Sequence, residues 1–517
     1  MRGFFIAMAS MVAGGLALNP TTLAAQTAPQ AAPTVTAANG SAAYYFMLGR
    51  HLEDERKIDD AIAAHKQAIA LAPESAEVRA ELAALYARQD RAREALEAAE
   101  AALQRDPDNR EANRIMGTVY AALSEQRQPF RTGDDPTQYN SRAIAALEKS
   151  RREAGFDINL ELLLGRLYLG ARDYQKAIAA LRRVVDDQPG YPEGAMLLAA
   201  AQDGAGLKDD EIRTLETALE YSPTFSRGHL RVAELYEQQR RFTDAAAAYA
   251  EASASNPRLD VASRQAAALL NGGKPAEARD LLEAALKKKT TADAGLLYML
   301  GQAQRLLKDP AAAAATVQKL KASFPDDSRG LYLDAQSLRD SGKLSEAAAV
   351  FQDLIKRSPD DTSLVHEYAS VLERAGRIGD AEQALRGVLA KDPLDANALN
   401  SLGYLLADHG QRLDEAVDLV QRALKIEPAN PAFLDSLGWA YFRQGKLDLA
   451  DAPLTQAAEQ LPASSTINDH LGDLRVKQER FADAVAAFER SLAGDGDSID
   501  RSKIEKKVRD ARARVRR

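Results

Sequence analysis

The chain has 517 residues, 46% hydrophobic but only 6% aromatic, with a formal net charge of −8 and no cysteine. The missing cysteine excludes disulfides, thiol catalysis, Cys-ligated zinc and a lipid-bearing cysteine. Residues 501–517 hold nine Lys/Arg against two Asp/Glu, a local +7 that leaves −15 for the rest, and an acidic body with a basic tail does not suit nucleic acid.

Met1–Ala25 has Arg2 near its front, an apolar run from Phe4 to Leu18, a break at Pro20 and small residues at Thr22, Ala24 and Ala25. That layout predicts a secretory signal cleaved near Ala24 or Ala25; the run is short for a membrane span of about 20 residues. Left uncleaved, it would be an N-terminal anchor and associate the chain with a membrane. Gln26–Ser41, rich in Ala, Thr and Pro, reads as a spacer. Export without cysteine predicts the periplasm of a Gram-negative bacterium.

From Ala42 onward, landmarks recur at about 34 residues. Leu48-Gly49, Ala61 and Pro73 are followed by Leu82-Ala83, Tyr86, Ala95 and Pro107. The register continues through Leu164-Gly165, Val232-Ala233, Leu300-Gly301, Leu402-Gly403 and Leu437-Gly438 to Leu471-Gly472, Ala484 and Phe488, with weaker copies at Met116-Gly117, Ala199 and Ala266. Gly or Ala after the Leu lets a second helix approach closely, and Pro closes each unit because it cannot continue a helix. Each helix pair leaves an apolar face for its neighbour to cover. The expectation is all-α, a solenoid of about thirteen helix pairs over residues 42–498. Two units are long, by 14 residues before Ala143 and by one near Arg412. The first insertion, Ser124–Tyr139, is polar and falls between the two helices of its repeat; a solvated loop is the usual outcome and a ligand contact the less common one.

With this spacing the chain resembles a tetratricopeptide-repeat protein over nearly all its mature length. The resemblance implies a right-handed superhelix that binds peptides or helices in a concave groove lined by each first helix. Asn400-Ser-Leu-Gly-Tyr404, Arg412-Leu-Asp-Glu-Ala416, Asp435-Ser-Leu-Gly-Trp439 and Asn468-Asp-His-Leu-Gly-Asp473 carry a narrower similarity. It is to exported proteobacterial repeat proteins, including the outer-membrane lipoprotein adaptor of a carboxyl-terminal processing protease. That adaptor's lipid anchor does not carry over, because no cysteine is present.

Within a first helix, positions i, i+4 and i+7 share a stripe. One such stripe holds Asp435, Trp439 and Phe442; its neighbours hold Asn400, Tyr404 and Ala407, then Asp469, Asp473 and Val476. By the resemblance this stripe lines the groove. Trp and Arg are frequent binding anchors, so Asn400, Tyr404, Asp435, Trp439, Phe442, Arg443, Asp469 and Asp473 are the candidate partner-binding residues. They form an aromatic anchor among carboxylates suited to a cationic or helical segment. Two plainer readings stand beside this: Trp439 packs between first helices, and Asp435 caps its helix start. The family's clamp for a partner's C-terminal carboxylate is not supplied by Phe46, Arg50, Ala80, Ala84 and Ile115 at the matching positions.

After residue 499 the chain continues as a basic helix with Ile504 and Val508 at i, i+4, expected to cap the last repeat or to touch anionic lipid, cell-wall polymer or an acidic partner. Among His51, His65, His229, His366, His409 and His470 there is no His-Glu-x-x-His or other tight metal spacing, and His65 fits an aromatic core position. No phosphate loop or nucleophile elbow occurs. No catalytic group, cofactor or metal ligand is therefore expected. The predicted function is a non-catalytic periplasmic scaffold or adaptor for a protein or peptide partner, an envelope protease being one such partner. The alternative is a component of envelope polysaccharide export or outer-membrane assembly.

Overall fold

The computed structural model describes residues 40–126, 129–131, 133–152, 155–496 and 499–515. The signal Met1–Ala25 and the spacer up to residue 39 lie outside the described residues. Those described form 27 α-helices and one 3-10 turn, with no strand among them. No helix among them is long and apolar enough to cross a membrane.

The chain divides into two compact units, Met1–Val261 and Ala262–Arg517. The first holds six helix pairs, from Ala42–Asp54 with Ile58–Leu71 to Ser226–Gln238 with Phe242–Ser255. The second holds seven, from Ala262–Asn271 with Pro275–Lys288 to Ser465–Lys477 with Phe481–Ala493, followed by the helix Arg501–Val515. The expected count of thirteen pairs is the one observed.

Local chemistry sets the helix limits. Starts are capped by side chains that accept the free N–H groups of the first turn: Asp395 from Ala398, Asn430 from Ala432 and Phe433, and Ser464 from Ile467. Asp435 is therefore not a cap, since Asn430 fills that role five residues earlier. First helices end on a left-handed residue that recurs with the repeat, as at Arg56, Asp90, Arg172, Arg240, Gly342, Gly376, Gly410, Gly445 and Glu479. The extra residue near Arg412 is itself left-handed, with φ 43°.

Pairs close where the Leu-Gly landmarks predict. A Cβ on Gly438 would lie 2.5 Å from Leu454 Cγ, and one on Gly472 only 2.3 Å from the Phe488 ring. The long unit departs from a simple loop. Its first helix runs on as Arg110–Gln126, and Tyr139, fully buried, opens the second helix Tyr139–Arg152. The Tyr139 ring stacks on Tyr120 at 5.7 Å. Its hydroxyl accepts from Phe130 N and donates to Asp134, both at 2.8 Å. The described part of the insertion is thus tied down by the buried Tyr139 phenol, by Phe130 packed on the core and by an Arg131–Glu100 ion pair.

The helix Arg501–Val515 buries Ile504, Val508 and Ala511 against Ala484 and Phe488. Burying an Ile or Val side chain is worth about 1.5–3 kcal/mol, so this helix covers a face that a further repeat would otherwise cover. Its cations Arg501, Lys503, Lys506, Arg509, Arg512 and Arg514 stay exposed.

Candidate partner-binding site

The candidate residues all lie in the second unit, on the first helices Ala396–Asp408, Pro431–Arg443 and Ser465–Lys477. The helical period places Asp435, Trp439 and Phe442 on one face of their helix, and the structure puts the same positions of neighbouring helices alongside. Trp439 is 8% exposed. Its indole lies flat on Phe442 at 4.9 Å and on His470 at 4.0 Å, with the Arg443 guanidinium 5.7 Å from the ring. Its N–H donates to Asp408 Oδ1 at 3.0 Å, and Arg443 donates to the Asp408 carbonyl oxygen. Trp439 is therefore mostly a packed residue. Phe442, Arg443 and Tyr404 are half-buried, as are Asn400, Asp469 and Asp473, so solvent reaches all of the candidates but Asp435 and Trp439.

Beneath the indole, buried Asp435 accepts from His470 Nδ1, with both carboxylate oxygens at 3.0 Å. Burial opposes a charged imidazole, but the charge and hydrogen bond of Asp435, with Asp469 and Asp473 nearby, outweigh it and raise the His470 pKa. Tyr404 lies 6.2 Å from the His470 ring. Burial first, and then the charges of Asp408, Asp435 and Glu373, hold its phenol far above the usual range. Asn400 keeps a buried Oδ1 without a hydrogen-bond partner.

Asp469 and Asp473 have an internal cation. Lys507 of the C-terminal helix reaches Asp469 at 2.7 and 3.0 Å and Asp473 at 2.7 Å. Burial raises the Asp473 pKa against the opposing pull of Lys507. The reading of these carboxylates as an open seat for a partner's cation changes accordingly, because this protein's own ammonium fills it. Asp435 is likewise occupied, by His470.

Sequence reasoning passed over His470, Asp408 and Lys507. His470 was one of six scattered histidines, and it acts one repeat away, 35 residues from Asp435. The signal lay in the repeat register: residues one period apart face each other across adjacent first helices.

Models of the tetratricopeptide repeat match residues 162–223, 212–259, 263–328, 332–382, 366–431 and 436–499, and a second model of the same repeat matches 52–120. The chain belongs to the tetratricopeptide-repeat family. Members of this family are generally non-catalytic scaffolds that bind protein or peptide partners. The chain is 47% identical over 76 residues to a TPR repeat-containing protein of Pseudomonas aeruginosa, a match covering 15% of this chain and 13% of that protein. It is 31% identical over 91 residues to a TPR repeat-containing protein of Methanocaldococcus jannaschii, covering 18% and 16%. Both matches span under a fifth of those relatives. Among solved structures, yeast Tom70 is 16% identical over 92% of this chain and 96% of its own, with a TM-score of 0.35. A tetratricopeptide-repeat protein of Parabacteroides merdae is 16% identical over 48% and 97%, with a TM-score of 0.42. At these identities and scores no feature of either structure transfers.

Proposed function

We propose that this tetratricopeptide-repeat protein is a non-catalytic scaffold of the bacterial periplasm. It holds a partner protein against the first-helix face around Tyr404, Phe442 and Arg443, and an envelope processing protease is the partner favoured. The observation that carries the reading is the contrast between positions. The Leu-Gly pairs recur along the array as packing, whereas Tyr404, Trp439 and Asp473 differ from copy to copy at one face position. The Trp439–His470 stack holds Phe442 and Arg443 in place, and a fixed aromatic beside an arginine suits a binding anchor. The export pattern of Met1–Ala25 and the absence of cysteine support the location. The similarity carried by Asn400–Asp473 supports the protease as partner, and the exposed cations of Arg501–Val515 support contact with an anionic envelope surface.

The test pairs two variants. Phe442→Ala with Arg443→Ala is expected to keep wild-type helicity, with a modest fall in melting temperature from the lost stack on Trp439, while losing the protease from crosslinked envelope complexes. Trp439→Ala is expected to loosen the C-terminal repeats as well. If the double variant retains the protease at wild-type level, or the crosslinked species are polysaccharide-export or outer-membrane assembly proteins, the reading fails.

A further inference from the structure

The repeat register brings Glu373 beside the consecutive pair Asp408 and His409; of the three, only Asp408 touches the partner-binding face, which it supports from behind through Trp439 and Arg443. Glu373 lies in the last turn of the first helix Thr362–Arg374, Asp408 ends the next first helix, Ala396–Asp408, and His409 follows it as C-cap. One ligand atom from each, a carboxylate oxygen from both acids and a ring nitrogen from His409, lies within 4.8 Å of the others. We propose that Glu373, Asp408 and His409 form a site for one zinc-type divalent ion, with water completing the coordination.

Four observations carry it. His409 Nε2 stands 3.1 Å from Glu373 Oε1, the spacing of two neighbouring ligands on an ion with bonds of about 2.1 Å. Both helices point their C-terminal ends at the site, where the peptide dipoles favour a cation. Gly410, at φ 65°, turns the chain directly after His409, which sets the imidazole back over Glu373. Asp408 is oriented from behind by the Trp439 N–H, as outer groups orient metal-binding carboxylates. The imidazole selects zinc-type ions over calcium and magnesium, which take oxygen ligands. Arg443, 3.5 Å from Asp408 Oδ1, already offsets part of the negative charge and limits the affinity.

Trp439 is the chain's only tryptophan, so its emission reports on Asp408. Full-length protein titrated with zinc chloride is expected to bind one ion by calorimetry and to change Trp439 emission at the same midpoint. Calcium or magnesium at equal concentration should do neither. His409→Ala, at the surface, should keep the wild-type melting curve and weaken zinc at least about tenfold, with Glu373→Gln weakening it less. His229→Ala, in the other unit, should bind like wild type. Absence of saturable binding, equal affinity in His409→Ala, or loss in His229→Ala instead would each overturn the assignment.

Discussion

The first and last repeats each bury a histidine, and the two are treated in opposite ways. His65, in the helix Ile58–Leu71, is fully buried beside Gly49 and Phe46, and neither ring nitrogen has a hydrogen-bond partner. Burial lowers its pKa, so it is carried as a neutral ring filling an aromatic position. His470, in Ser465–Lys477, is also buried, yet Asp435 accepts a hydrogen bond from its ring N–H and the net pKa shift is upward. Depth alone therefore does not set the behaviour of a buried imidazole; the acceptor on the adjacent helix does. His65 sits on the second helix of its pair and His470 on the first helix of its own, so the two rings meet different neighbours, and only His470 meets a carboxylate.

The largest expected effect comes from breaking the better-satisfied end. Asp435→Ala leaves His470 buried without its acceptor and should cost about 3 kcal/mol in the C-terminal repeats. In urea titration, Trp439 emission should report that loss, because the indole rests on His470. Native-like Trp439 unfolding in this variant would mean the pair is incidental. At the other end the sign reverses. His65→Phe should fill the same space without an unsatisfied N–H and stabilise the first repeat by about 1 kcal/mol, seen as slower hydrogen exchange over residues 42–71.

Acidity sharpens the contrast with a smaller effect. The His470 pKa is raised from 6.5, so its stabilisation is complete below that value and lost as pH rises through the folded-state pKa. The His65 pKa is lowered from 6.5, so the first repeat is stable above that value and loses stability as pH falls through its folded-state pKa. Moving from pH 7.5 to 5.5 should therefore loosen residues 42–71 and tighten the Trp439 region. Hydrogen exchange at the two pH values, corrected for intrinsic rates, checks both signs in one sample.

Much of the fold was legible because a packing rule repeats. Leu, a small residue and a closing Pro at one spacing predict helix pairs, and thirteen pairs is the observed number. The stripe of Asp435, Trp439 and Phe442 was also legible, since it needs only the period of one helix. Its partners were not. His470 and Asp408 meet the stripe from the two flanking first helices, Lys507 meets Asp469 and Asp473 of the next stripe from the C-terminal helix, and a single-helix reading gives no register between helices. Glu373 and His409 escaped for the same reason: a metal spacing sought within a few residues misses ligands one repeat apart.

The most direct test of the scaffold reading uses a photo-crosslinking residue at position 442, compared with one at the exposed Leu449 on the following helix. Irradiated in cells, position 442 is expected to trap an envelope processing protease, and position 449 is expected to trap none of it. Equal trapping at both positions, or trapping at 449 alone, would contradict the placement of the partner on the first-helix face.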